Sequence, residues 1–301
     1  MSVSTTAAPA DAKSLPVTIF AIPKAFRGHF GVIQRNAIAS WTRLRPKVDV
    51  ILFGSDPGTA EFAAELGLRH IPDVLSTESG APRFDDLFAK AEQAVPRGLL
   101  CYVNADIMLM DDFARAAERV ASLSPLMMIG RRWNTDIAQP WDFQAPDWQA
   151  RLRDFVLRHG SEAPTVCIDY FLFTKGLGLK LPPMALGRLY WDSWLIWHAR
   201  RKGAAVVDAS AVVMAVHQNH DYSHHPAGMA GVWQGAEPET NRRLAGGAHR
   251  KLTTEDASHR LTPEGMARSY RHHWLKFRRV WRRPRTLVEI VRTAISDPSK
   301  V

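Results

Sequence analysis

The stretch that most constrains this chain is Leu99-Leu-Cys-Tyr-Val103 followed by Asn104-Ala105-Asp106. Five consecutive apolar residues after the turn signal Pro96-Arg97-Gly98 suit a strand buried on both faces. Asn104 and Asp106 then interrupt an apolar run that resumes at Ile107. An ionised carboxylate in such a setting needs a partner or a metal. Ligands of open α/β sheets sit at the carboxyl ends of strands. The corner therefore reads in one of two ways. Asp106 holds a divalent cation that neutralises a diphosphate, or the segment is a polar turn into a helix near Asp111 or Asp112.

The surrounding chain favours an α/β sheet. Residues 17–22 read as a first strand ending at Pro23-Lys24, and residues 48–53 as a second ending at Gly54-Ser55-Asp56. Gly28 and Gly31 bracket a loop. Ile33, Ala37, Ile38, Trp41 and Leu44 then recur at helical spacing. A helix from Pro57 ends at Gly67, residues 68–71 form a short third strand, and residues 85–94 another helix. Near-continuous apolar strands alternating with helices imply parallel strands joined by crossovers. Further on, residues 112–123 and 194–201 read as helices and 147–159 as amphipathic. Residues 126–130, 166–173, 205–207 and 212–216 read as strands, with Arg131 to Asp136 as a polar stretch between elements. Neither Gly-x-Gly-x-x-Gly nor a P-loop is present, which argues against dinucleotide and P-loop sites.

Composition narrows the setting. The chain has 301 residues and 46% apolar content, enough for a large core. Cys101 and Cys167 are its only cysteines, so neither a disulfide framework nor a cysteine zinc site is expected, and a reducing, cytoplasmic location is. Residues 1–15 read as a disordered leader without signal-peptide features. No apolar run is long enough to cross a bilayer. Residues 16–260 form the body, and residues 261–301 a basic amphipathic helical segment. Between 268 and 292, nine Lys and Arg face Glu289 alone, nearly all of the formal net charge of +9. Tyr270, Trp274, Phe277 and Trp281 mark one face of that helix. The segment suits an anionic membrane surface, placing the protein at the inner face of a membrane, or a helix packed on the body. No nucleic-acid module accompanies it, so nucleic acid is not expected.

Other polar residues stand where apolar ones would be expected. His217, Asn219, His220 and Asp221 follow a strand, and imidazole with carboxylate suits Mn²⁺ better than Mg²⁺. Asp169 lies in an apolar strand and needs a partner. Asp192 sits where a loop meets a helix, as an N-cap or a general base. Lys24, Arg83, Arg131, Arg132 and Arg188 are candidate clamps for phosphate or sugar hydroxyls.

Taken together, the strand ending in Asn104-Ala105-Asp106-Ile107, the acid Asp56 after the second strand, the Gly80-to-Asp86 segment, Trp191-Asp192 and a late histidine resemble nucleotide-sugar-dependent glycosyltransferases of the GT-A fold. The resemblance spans residues 17–225. It implies a Rossmann-type mixed sheet flanked by helices, with Mn²⁺ or Mg²⁺ bound through an Asp-x-Asp-type motif in which Asn104 replaces the first acid. It implies donor contacts from Pro23, Lys24, Asp56, Arg83, Asn104, Asp106, Arg131 and Arg188. The metal ligands would be Asp106 with His217 or His220. Asp192 and Asp169 would serve catalysis. The partners implied are a nucleoside diphosphate sugar and a glycan or lipid-linked acceptor, as in polysaccharide synthesis. Two alternatives compete: a non-catalytic binding protein docked by its basic tail, and a sugar nucleotidylyltransferase.

Overall fold

The architecture is that of a computed structural model, which describes residues 15–177, 180–221 and 228–271. The leader up to residue 14 lies outside the described residues, and so does the basic aromatic segment from 272 onward.

Among the described residues, the main sheet has the spatial order β13 (Met266–Arg268), β12 (His259–Leu261), β10 (Ala205–Asp208), β6 (Leu126–Ile129), β9 (Tyr170–Thr174), β4 (Leu99–Val103), β1 (Val17–Ala21), β2 (Asp49–Phe53) and β3 (Arg69–Ile71). A smaller sheet runs β5 (Ile107–Met108), β11 (Ala215–Gln218), β7 (Arg132–Thr135), β8 (Ser161–Glu162). The helices are α1 (Gly28–Trp41), α2 (Thr59–Glu65), α3 (Phe84–Ala94), α4 (Asp111–Val120), α5 (Trp148–His159), α6 (Trp191–Arg201), α7 (Gly228–Trp233) and α8 (Ala236–Ala245). Among the described residues, no helix is long and apolar enough to cross a membrane.

Strand periodicity divides the core. On one face Ile19 and Ala21 of β1 and Leu99, Cys101 and Val103 of β4 pack with α1, α2 and α4. On the other, Phe20, Leu100 and Tyr102 pack with α3 and α6. Phe20 stands at the centre of this second layer, with ring contacts to Phe53, Phe88, Tyr102 and Phe173 at 5.1–6.3 Å.

Four expectations are corrected. The sheet is mixed, as the resemblance implies, with β9 antiparallel between β4 and β6 and Val103 opposite Tyr170. That direction brings the amino end of β9 to the carboxyl end of β4. Asp169 is consequently just outside its strand rather than in the middle of it. The polar stretch after β6 is itself strand β7, which pairs in parallel with β11. Helix α1 begins at Gly28, and Gly31 belongs to it: a Cβ there would meet the Phe26 carbonyl at 3.1 Å. Finally, residues 261–268 do not start a helix. His259 to Leu261 pair with Met266 to Arg268 as a hairpin on the sheet edge, so the sheet extends beyond residue 260.

Replacing Phe20 by Ala empties the centre of the aromatic layer. It should cost about 3–5 kcal/mol, read as a lower urea midpoint at unchanged m-value.

Candidate active site

The turn between β4 and β5 is two hydrogen bonds deep. Asn104 N–H donates to the Asp169 carbonyl (3.0 Å), and Ile107 N–H to the Asn104 carbonyl (3.1 Å). β5 then pairs antiparallel with β11, placing His217 opposite Ile107. This brings Asp106 Oδ2 within 3.0 Å of His220 Nε2 and 3.6 Å of His217 Nε2. One ligand atom from each of the three side chains lies within 4.8 Å of the others. Asp106 Oδ1 and His217 Nδ1 are buried without a hydrogen-bond partner among the described residues. Burial opposes the Asp106 charge, but His217, His220 and Lys24 outweigh it and hold the carboxyl well below the usual carboxylate range. One oxygen and two imidazole nitrogens, with buried lone pairs unspent, fit a divalent transition-type cation such as Mn²⁺.

A buried polar ladder fixes this corner. Gln218 Nε2 donates to the carbonyls of Ile33 (2.7 Å) and Asp106 (3.1 Å). Asn36 Nδ2 donates to Gln218 Oε1 (2.9 Å). Trp41 Nε1 donates to the Ile107 carbonyl (2.8 Å), and Ser40 Oγ accepts from Leu109 N–H (3.0 Å). One face of α1 is thus bonded along the whole segment from 106 to 109. Asn36 and Gln218 carry no sequence signal beyond a polar residue at an apolar period, and sequence reasoning missed them.

Lys24 follows β1, with its backbone clamped at both ends by the Gln34 amide. Burial lowers its pKa to about 8; Asp106 and Asp56 oppose this shift, while Arg188 adds to it. Asp56, Asp106 and Arg188 are thus the charges that act on Lys24. Arg188 is aimed by Glu237 of α8 (2.7 Å). Glu237 also accepts from the Thr77 and Ser79 hydroxyls, tying α8 to the loop before α3.

On the far side of the metal corner, Asp169 is 7% exposed and fully engaged. Its Oδ2 accepts from Arg132 Nη1 (2.7 Å) and its Oδ1 from Asn104 Nδ2 (2.6 Å). Arg132 also lies within electrostatic reach of Asp106 and His217. Asp192 is not a cap: it occupies the second position of α6, where its Oδ1 accepts from the next residue's N–H (2.7 Å). Burial and the neighbouring Asp169 push its pKa up to about 6, against the Ser193 hydrogen bonds and Lys251. Tyr190, just before the helix, has φ 87°, a left-handed conformation rare for a bulky residue and costing about 1–3 kcal/mol.

The structure thus gathers Lys24, Asp56, Asn104, Asp106, Asp169, Arg188, Asp192, His217 and His220 through contacts or electrostatic coupling. Pro23 is buried next to Lys24. Arg83 and Arg131 are not brought in: Arg83 pairs with Asp85 (2.6 Å) and Arg131 with Glu162 (2.6 Å). Arg132, the first residue of β7, pairs with Asp169 instead.

A raised Asp192 pKa means the folded protein holds that proton more tightly than the unfolded chain does. Stability is then present at low pH and lost as pH rises from about 4 towards 6. Asp192→Asn removes the buried charge. Melting curves across this range should show the variant gaining over wild type above about pH 6 and the gain vanishing near pH 4. A gain independent of pH would contradict the assigned environment.

No protein-family model matches this sequence, and no curated protein matches it. Among solved structures, the chain is similar to glucosyl-3-phosphoglycerate synthase from Mycobacterium tuberculosis in complex with Mg²⁺ and uridine diphosphate. The identity is 13% over 68% of this chain and 72% of that one, with a TM-score of 0.41. The same enzyme with Mn²⁺, uridine diphosphate and phosphoglyceric acid gives 12% identity, 78% and 80% coverage and a TM-score of 0.45. S. aureus TarS 1–349 in complex with UDP-GlcNAc gives 12% identity, 40% and 35% coverage and a TM-score of 0.32.

Proposed function

We propose that the protein is a divalent-metal-dependent glycosyltransferase that moves a sugar from a nucleoside diphosphate to an acceptor hydroxyl. The observation that carries this reading is a convergence at the carboxyl end of β4. The Asp106, His217 and His220 ligand set couples electrostatically to Lys24, Lys24 to Arg188, and Asp192 to Asp169, the hydrogen-bond partner of Asn104. A bound divalent ion would supply positive charge against the diphosphate as it departs.

The chain's own residues divide the remaining work. Lys24 and Arg188, coupled to each other as like charges, are the side chains assigned to the diphosphate, whose negative charge would relieve that repulsion. Asp56 and Pro23, in the loops after β2 and β1, would contact the nucleoside. In a transfer with inversion, the acceptor oxygen forms its bond to the anomeric carbon as the bond to the diphosphate oxygen breaks. Asp192 takes the acceptor proton. A carboxylate with a pKa of about 6 is a stronger base than an ordinary one and is still ionised at neutral pH. Asp169 is held by two donors and serves to orient Arg132 rather than to accept a further proton. The acceptor proposed is a glycan or lipid-linked saccharide, as in polysaccharide synthesis, with the basic segment 268–292 bringing the enzyme to an anionic membrane.

Melting temperature against a panel of nucleoside diphosphates, each with and without Mn²⁺, tests this directly. One nucleotide should raise the midpoint only when Mn²⁺ is present; at a hundredfold excess over Kd the stabilisation is about 2.7 kcal/mol. Asp106→Ala should abolish the shift while remaining folded. Asp192→Asn should keep the shift and lose sugar transfer. Absence of any shift with folded protein would favour a non-catalytic binding protein.

Replacing the Lys and Arg of 268–292 by Gln should abolish sedimentation with anionic liposomes without changing the nucleotide shift. Undiminished sedimentation would remove the membrane assignment.

A further inference from the structure

Asn104 stands where the resemblance would place the first acid of the motif, and the structure gives a reason for the amide. The antiparallel ladder of β4 and β9 ends with Val103 opposite Tyr170, so residue 104 faces residue 169 at the next step. The two backbones are joined there by Asn104 N–H to the Asp169 carbonyl at 3.0 Å. The side chains meet as well, Asn104 Nδ2 donating to Asp169 Oδ1 at 2.6 Å. The other Asp169 oxygen accepts from Arg132 Nη1 at 2.7 Å. Arg132 in turn donates through Nε to Asn134 Oδ1 (2.9 Å) on its own strand.

We infer that Asn104 is the neutral cross-strand partner of Asp169 and not a metal ligand, so that Asp106, His217 and His220 are the side-chain ligands among the described residues. The inference rests on the metal-dependent reading above. Three observations combine. First, the amide nitrogen is committed to Asp169 at a distance typical of a charge-assisted bond. Second, like charges directly opposite each other in an antiparallel pair are destabilising. A carboxylate at 104 would face the Asp169 carboxylate across that short gap with no hydrogen to share between them. Third, Asp169 has no room to retreat: it is 7% exposed and held from its other side by Arg132. Given Asp169 at this place, the chain needs a donor at 104, and the short amide is the side chain that both donates and fits the turn. Asn104 is thus a positioning residue. It holds Asp169, and through it Arg132, at a fixed distance from the Asp106 corner.

The test uses the full chain and Mn²⁺ alone, with free Mn²⁺ followed by electron paramagnetic resonance and folding by melting temperature. Asn104→Ala should keep Mn²⁺ affinity within about twofold, whereas Asp106→Ala should lower it about tenfold or more. Asn104→Asp should lower the melting temperature without tightening Mn²⁺. Combining Asn104→Asp with Asp169→Asn reverses donor and acceptor and should restore most of the lost stability, a rescue that general damage to the turn would not allow. Loss of Mn²⁺ binding by about tenfold in Asn104→Ala would make Asn104 a ligand and overturn the inference. So would tighter Mn²⁺ binding in Asn104→Asp at unchanged melting temperature, or a double variant no more stable than Asn104→Asp alone. If wild type takes up no Mn²⁺, the metal-dependent reading falls and the ligand assignment with it. The melting arms would still report separately on whether Asn104 and Asp169 are paired.

Discussion

A carboxylate placed in the interior must be compensated, and the geometry around Asp106 is the consequence. Its oxygens face two imidazoles, and Lys24 reaches it electrostatically from β1. Those partners come from segments over a hundred residues apart, so the corner exists only when β4, β5 and β11 are all in place. The Asp106 carbonyl is held just as firmly, by both the backbone and the side chain of Gln218. Asn36, 2% exposed, and Gln218, fully buried, make a polar seam inside an apolar interface. Satisfied networks of this kind fix a single arrangement, since every alternative strands a buried donor or acceptor.

The sheet's mixed direction serves the same corner. If β9 ran parallel, its carboxyl end would lie beside that of β4, and Asp169 would lie at the far end of the sheet. Running antiparallel, it delivers Asp169 beside Asn104, and the following segment leads round to Asp192 on α6. Two acids needed on one side of the corner therefore come from the start of a strand and the start of a helix. Neither has to be buried in the middle of a regular element.

Much of this was legible in the sequence, and what was not has physical causes. The run from Leu99 to Val103 identified a central strand because burial on both faces leaves no polar position in it. The strand ends at Lys24, Asp56 and Asp106 were legible because charge follows an apolar run abruptly. The direction of β9 was not: it is as apolar as the parallel strands of the sheet, and periodicity carries no information about the direction of the chain. The choice between Arg131 and Arg132 was closed for a related reason. Side-chain parity is defined only inside a strand, and β7 is polar enough to read as a loop. Its strand character comes from pairing with β11, some eighty residues later. The hairpin of β12 and β13 was masked likewise, by a charge pattern that continues into the basic segment.

The places where local rules are broken also coincide. Tyr190 has a backbone conformation that a bulky side chain avoids. Two residues later Asp192 keeps a carboxylate where burial raises its pKa. At the Asp106 corner, a buried oxygen of Asp106 and a buried nitrogen of His217 have no hydrogen-bond partner among the described residues. Each departure costs stability, and the aromatic layers around Phe20 and the ladder along α1 supply the rigidity that sustains them. Chains under selection for folding alone lose such features, because ordinary substitutions relieve them. Their concentration near the carboxyl end of β4 is what the ligand-binding reading proposed above requires, and a set of polar residues that merely end strands would not need it.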